Sequence, residues 1–158
     1  MAKQTSKTLV FSIIGLIVIV AVVAVVLVVR HDNKTLSPSQ QTAAKQQIET
    51  NWKEFFAAST TLQGRENLLQ NGSEFSQLIQ GEFTELASQA SSAIIASISF
   101  TNKTSANVEY TVDLNGQPVL SNEKGEALLT GSSWKVSDST LCYLIGLSGS
   151  KPAVCKNY

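Results

Sequence analysis

The sequence predicts an α+β domain carried behind one membrane-spanning helix. Three observations predict it: an uncharged apolar run near the N-terminus, a helix-period apolar stripe after it, and a switch to period-two alternation from about residue 92. Helices first and strands after them is the element order of an α+β domain.

The apolar run opens at Leu9 and closes at Val29. It holds 21 residues without a charge, 17 of them Leu, Ile, Val or Phe. As a helix rising 1.5 Å per residue it would be roughly 31 Å long, the thickness of a hydrocarbon core. Its apolar side chains favour insertion by about 5–10 kcal/mol. A cleaved signal peptide is the competing reading, and Lys3 and Lys7 suit both. Against cleavage, the run is too long for a signal core, and Arg30-His31-Asp32 stands where small residues would be expected. The expected division is a cytoplasmic stub over residues 1–8, a span over 9–29, a spacer over 30–37 and an extracytoplasmic domain over 38–158. Basic residues flank both ends of the run, so the count of positive charges leaves orientation nearly tied.

Beyond the spacer, Ser37, Pro38 and Gln40 form a helix start: a cap, a proline at the first helical position and a capping-box partner. Ala44, Ile48, Trp52, Phe55 and Phe56 then follow on one stripe, predicting a helix to about Ala58. Thr60-Thr61 breaks it. A short second helix is expected over residues 65–70, ended by Asn71-Gly72. Ser73 is expected to cap a third, with Phe75, Leu78, Ile79, Phe83 and Leu86 along one side and Gly81 weakening it.

Two strands follow. Ile94, Ala96, Ile98 and Phe100 alternate with polar residues and Ile95; Ala106, Val108, Tyr110, Val112 and Leu114 do so in the second strand. The expected register sets Ile98 opposite Val108 and Phe100 opposite Ala106, with Ile94, Ile98, Val108 and Val112 on one buried face. Asn115-Gly116 predicts a type I′ hairpin and Gly131-Ser132 a type II′ hairpin, the latter setting Leu129 opposite Trp134 and Ala127 opposite Val136. The segment from Gln117 to Leu120 should then be a short edge strand or leave the sheet within about two residues of Pro118, and that edge is where a partner protein would be sought. The first helix is expected to pack Trp52, Phe55 and Phe56 on Ile98, Tyr110 and Trp134.

Cys142 and Cys155 stand alone in a C-terminal tail of turns and small residues. They read as one disulfide made in an oxidising compartment, the alternative being two unrelated buried thiols. Two thiols without further ligands make no metal site, and the single histidine, His31, abuts the apolar run. From His31 onward nine basic and twelve acidic side chains leave a formal charge of −3, which removes an electrostatic case for nucleic acid.

Four stretches carry a resemblance: Leu114-Asn115-Gly116-Gln117-Pro118, Gly131-Ser132-Ser133-Trp134-Lys135-Val136, Thr140-Leu141-Cys142, and Pro152-Ala153-Val154-Cys155. Together with Leu69-Gln70-Asn71-Gly72-Ser73 upstream, they resemble the mycobacterial low-molecular-weight secreted antigen family over about residues 40–155. The resemblance implies an actinobacterial envelope or secreted protein, a cone-shaped nuclear-transport-factor-2-like fold, and a bond between Cys142 and Cys155. It implies no biochemical activity. The uninterrupted anchor departs from a secreted antigen and sets the chain against release into the medium. A membrane helix followed by such a cone is also similar to proteins that accompany bacterial lipid-import complexes, a fold-level analogy.

No catalytic, cofactor or metal residue stands out. Cone-shaped domains can host isomerases, whose pockets hold an Asp or His base, but the domain has no His, and Glu109 and Asp113 lie on the polar side of their strand. Hydroxyls without a base are not nucleophiles. Trp52, Phe56, Tyr110 and Trp134 are the candidate pocket lining, although aromatics at these periods more often form plain core. Sequons at Asn33, Asn71 and Asn102 would be silent in a bacterium. The expected function is therefore non-enzymatic: a membrane-anchored envelope domain, held in the bilayer through residues 9–29, that binds a partner protein, a lipid-transport complex or a small apolar ligand without a cofactor. The alternative is an isomerase or hydrolase with an unrecognised site, which an ionisable side chain inside the cone would favour.

Overall fold

In a computed structural model that describes residues 35–84 and 92–158, the first helix, α1 (Pro38–Phe56), starts on the expected signal. The Ser37 hydroxyl accepts from the Gln40 amide, and the Gln40 side chain accepts from the Ser37 amide, so two orphan helix donors are paired. Ala44, Ile48, Trp52, Phe55 and Phe56 form its buried stripe. The apolar run from Leu9 to Val29 lies outside the described residues, as does Leu86; among the described residues no helix is long and apolar enough to cross a membrane. Residues from Leu36–Tyr158 form one compact unit.

The next segments differ from expectation. Helix α2 (Leu62–Leu68) begins three residues early, because Thr61 caps it through a bond from the Gly64 amide at 3.1 Å. It also ends early. Leu69 turns extended and bridges to Val136, and the Gln70 amide donates to the Val136 carbonyl at 2.9 Å. Ser73 caps nothing: residues Gly72–Phe75 form a 3₁₀ turn, α3 (Ser76–Leu78) is one α-turn, and Ile79–Phe83 is a π-turn around Gly81. The apolar set survives this change, since Phe75, Leu78, Ile79 and Phe83 are all buried.

Four antiparallel strands, β1 (Ser92–Phe100), β2 (Ser105–Leu114), β3 (Gln117–Thr130) and β4 (Ser133–Val136), lie in sequence order. Ile98 faces Val108 and Phe100 faces Ala106, as the alternation predicts. Ile94 does not join them. Ala96 is skipped between the pairs Ile95–Tyr110 and Ser97–Glu109, and this bulge exchanges the two faces of β1. Ala93 therefore enters the core while Ile94 is left 53% exposed.

Both hairpins match. Asn115 and Gly116 have φ of 51° and 78°, the two positive angles a type I′ turn needs, and Leu114–Gln117 and Asp113–Pro118 pair beside it. Gly131 has φ of 64°, and Leu129–Trp134 and Ala127–Val136 pair beyond it. Strand β3 is long rather than short, but β4 pairs only its last residues, Ala127 to Thr130. Pro118 thus has β2 on one side and no strand on the other among the described residues. Two irregularities flank Leu120, and Asn122 adopts φ of 57°, so this edge is kinked. Proline and bulges together blunt the edge, which weakens its case as a docking strand.

The cross-strand rows explain how α1 reaches the sheet. Phe100, Ala106, Ala127 and Val136 form one row, and its two alanines leave space above them. Across that space Phe100 meets Trp134 at a centroid distance of 5.6 Å. The next core-facing row is Ile98, Val108 and Gly125, and a Cβ on Gly125 would come within 2.8 Å of the Trp52 ring. The missing side chain seats the tryptophan.

The tail is not the run of turns expected. Ser137 caps a further helix, α4 (Asp138–Leu147), through the Thr140 amide at 3.2 Å. Leu141, Leu144 and Ile145 bury its inner face. The first turn of α4 closes the β3 edge where β4 ends: the Ser137 amide donates to the Glu126 carbonyl, and the Glu126 amide to the Thr140 hydroxyl, both at 2.9 Å.

Two glycines separate packing from propensity. A Cβ at Gly72 would lie 1.9 Å from the Glu66 carbonyl oxygen, whereas one at Gly81 meets nothing within 4 Å. Gly72→Ala should cost roughly 1–3 kcal/mol or more, and Gly81→Ala should be neutral or stabilising by up to about 1 kcal/mol. Denaturant titration of the two variants checks the contrast; equal effects would contradict it.

Candidate functional site

Three of the four candidate aromatics come together. Trp52 and Tyr110 meet edge-on with ring centroids 5.7 Å apart, and Phe56 lies 5.5 Å from Tyr110. All three are buried, and Phe55 and Phe83 pack against Phe56. Trp134 stands apart, on Phe100, where it also borders a shallow recess of about 290 Å³ with Leu36, Gln40, Ala44 and Gln47. Its backbone is clasped by α1: the amide donates to Gln47 Oε1 at 3.0 Å, and the carbonyl accepts from the Asn51 side chain. Among the described residues, Trp52, Phe56 and Tyr110 thus form one packed cluster and Trp134 lies apart from it on Phe100.

Two polar atoms inside this cluster, Trp52 Nε1 and the Tyr110 hydroxyl, have no partner among the described residues. Both can donate a hydrogen bond. Glu123, the cross-strand neighbour of Tyr110, accepts from Tyr143 of α4 at 2.9 Å, placing a carboxylate near the phenol. Burial first, then Glu123 and Tyr143, push the Tyr110 pKa far above its ordinary value. Tyr110 is therefore a neutral phenol at every physiological pH, a donor rather than a base.

Other buried ionisable groups among the described residues are held by structural bonds. Arg65 is 4% exposed and donates from Nε to the Phe55 carbonyl at 3.1 Å and from Nη2 to the Ala57 carbonyl at 2.7 Å. It satisfies the orphan carbonyls at the end of α1, where a cation also opposes the helix dipole. Burial pushes its pKa down from the usual value, yet a guanidinium stays charged throughout. Asp138 is fully buried and joins three parts of the chain. Its carboxylate accepts from the Asn71 amide at 3.1 Å, from Asn71 Nδ2 at 2.6 Å and from the Tyr158 hydroxyl at 3.3 Å. Glu109 lies on the exposed face, where it accepts from Ser97 at 2.8 Å, and no metal-binding cluster occurs among the described residues.

The C-terminal segment offers the larger opening. Cys142 and Cys155 are bonded across 13 residues, with Cα atoms 5.4 Å apart. Beside the bridge lies a recess of about 500 Å³, bordered by Tyr143, Lys151, Pro152, Lys156 and Tyr158. Tyr158 is pinned to the domain through Asp138 and through its ring, 6.0 Å from that of Phe75. Neither Asp138 nor this recess was expected from the sequence, because both depend on a helix hidden in a segment rich in Ser and Gly. Its signal was present: Ser137 before Asp138, then Leu141, Leu144 and Ile145 at helical spacing.

Among known proteins, the family model for the low molecular weight antigen MTB12 C-terminal domain matches residues 41–152. That span runs from the first turn of α1 to the disulfide-closed tail. No curated protein and no solved structure matches the chain.

The tyrosines give a direct check on this arrangement. Tyr143 is raised chiefly by its hydrogen bond to Glu123, and Tyr158 by desolvation and Asp138. The unfolded chain loses its phenolic protons near pH 10 while the native chain keeps them, so this contribution to stability is present below about pH 10 and is lost as pH rises further. Ultraviolet titration of the native protein should show two tyrosines ionising above the free value and Tyr110 protonated until unfolding. Since its hydroxyl has no partner among the described residues, Tyr110→Phe should change stability by less than about 1 kcal/mol. Three tyrosines titrating together near pH 10, or a large loss in the phenylalanine variant, would contradict the burial.

Proposed function

For a chain that belongs to the low molecular weight antigen MTB12 C-terminal-domain family, we propose a non-enzymatic role: a membrane-anchored domain, held outside the cytoplasm, that binds an envelope partner or a small apolar ligand. The observation that carries this reading is the interior itself. Where a catalytic cone would hold a base, this one holds Trp52, Phe56 and Tyr110 in mutual contact. An isomerase or hydrolase needs a group that changes protonation near neutral pH. Tyr110 is a neutral phenol, and Arg65 and Asp138 are occupied in holding helix ends and the tail.

The address rests on two further features. The apolar run at residues 9–29 has the length and hydropathy of an anchor, and the Cys142–Cys155 bond suits an oxidising compartment. A helix laid over a bulged antiparallel sheet also suits the cone of nuclear-transport-factor-2-like domains, and we assign the domain to that architecture. Proteins that accompany lipid-import complexes are the class of envelope partner this arrangement favours.

A membrane-impermeant protease added to intact protoplasts should remove the domain, and denaturing alkylation without reductant should find neither cysteine free. Affinity capture from native membranes should recover a stoichiometric envelope component with the full chain. A protected domain with two free thiols would contradict the proposed address, and turnover of a small carbonyl or ester substrate by the purified chain would contradict the non-enzymatic role.

A further inference from the structure

The C-terminal recess has the wrong chemistry for a mere gap in packing. Residues 139–158 contain Lys151 and Lys156 and no acidic side chain, in a domain whose formal charge from His31 onward is −3. Both lysines are exposed and both border the recess. Two large exposed apolar side chains border it as well, Tyr143 at 48% and Tyr158 at 56% exposure, and Leu147, 48% exposed, follows on the same helix. Tyr143 and Leu147 are one turn apart on α4, so they share a face. The two phenol hydroxyls are already donated to Glu123 and Asp138, which leaves the rings as apolar surface.

We propose that this recess binds a free anionic amphiphile: a carboxylate or similar head between Lys151 and Lys156, and an apolar body against Tyr143, Tyr158 and the Cys142–Cys155 bridge. A volume of about 500 Å³ lies in the range of small-molecule sites. A single amphiphile fits better than an anionic bilayer surface, because the domain's net negative charge opposes long-range attraction to such a surface. The disulfide matters to the site as a clamp. It ties the lysine-bearing tail to α4, so the two charges stay beside the apolar wall at little entropic cost on binding. The proposal deepens the binding role above and rests on it.

The test uses the full chain in nanodiscs of uncharged phosphatidylcholine, with a photoactivatable palmitate as probe and its uncharged alcohol as control. The palmitate should crosslink to peptides within residues 139–158. Labelling should fall about tenfold or more in the double variant Lys151→Gln, Lys156→Gln at unchanged melting temperature, and similarly for the alcohol on the native chain. Equal labelling by the alcohol, equal labelling of the double variant, or crosslinks confined to other segments would overturn the proposal. Displacement of the palmitate by millimolar inorganic phosphate would overturn the amphiphile in favour of a simple anion site. Chemical analysis of the recovered probe separates the two levels of the account: probe held at the recess but chemically altered would support the site and count against the non-enzymatic role.

Discussion

The contact of Trp52 and Phe56 with Tyr110 is the interaction on which the rest of the structure depends. It joins α1, the longest helix among the described residues, to the second strand of the sheet, and each ring is almost wholly buried. Burying a large apolar side chain contributes about 1.5–3 kcal/mol, so three such residues rival the net stability of a small domain. Several departures from plain sheet geometry serve this contact. Gly125 clears the space under Trp52, and Ala106 and Ala127 let Phe100 and Trp134 close over one end of the sheet. The bulge at Ala96 brings Ala93 into the same core. The titratable group within this cluster is the Tyr110 phenol itself, which burial keeps protonated at physiological pH.

A second layer of polar bonds holds the outer elements to that core. Arg65 closes the end of α1 from α2, and Asp138 gathers the loop after α2, the start of α4 and the C-terminal tyrosine. Removing one partner of such a buried group leaves the other uncompensated, which is costlier than the bond itself is worth. Surface chemistry is delegated to the tail, where the disulfide holds two lysines and two tyrosines around one recess. Under the proposed binding role, structural and binding work would fall on different residues, the aromatic contact on one side and the disulfide-closed tail on the other.

Much of this was legible in the sequence wherever periodicity and turn chemistry agree. The stripe of α1, its capping box, the register of β1 on β2 beyond the bulge and both hairpins follow from residue spacing and from Asn115-Gly116 and Gly131-Ser132. What was hidden has a common cause. A bulge leaves no mark in an apolar pattern when both faces carry isoleucine, so Ile94 and Ile95 could not be told apart. The π-turn around Gly81 keeps the same residues buried as an α-helix would. Helix α4 was obscured because Ser, Gly and Thr around it read as turns, and with it went Asp138, whose carboxylate partners Asn71 and Tyr158 lie far away in sequence. The four aromatics are buried, as their periods imply, but periodicity alone does not tell a pocket wall from plain core.

Hydrogen–deuterium exchange of the full chain tests the central claim most directly. If the aromatic contact organises the domain, the amides of α1 from Ala44 to Phe56 and those of β2 from Ser105 to Leu114 should be the slowest to exchange. They should also open together, with one free energy equal to that of global unfolding. Exchange of α1 well ahead of β2, as a separately opening unit, would contradict the account.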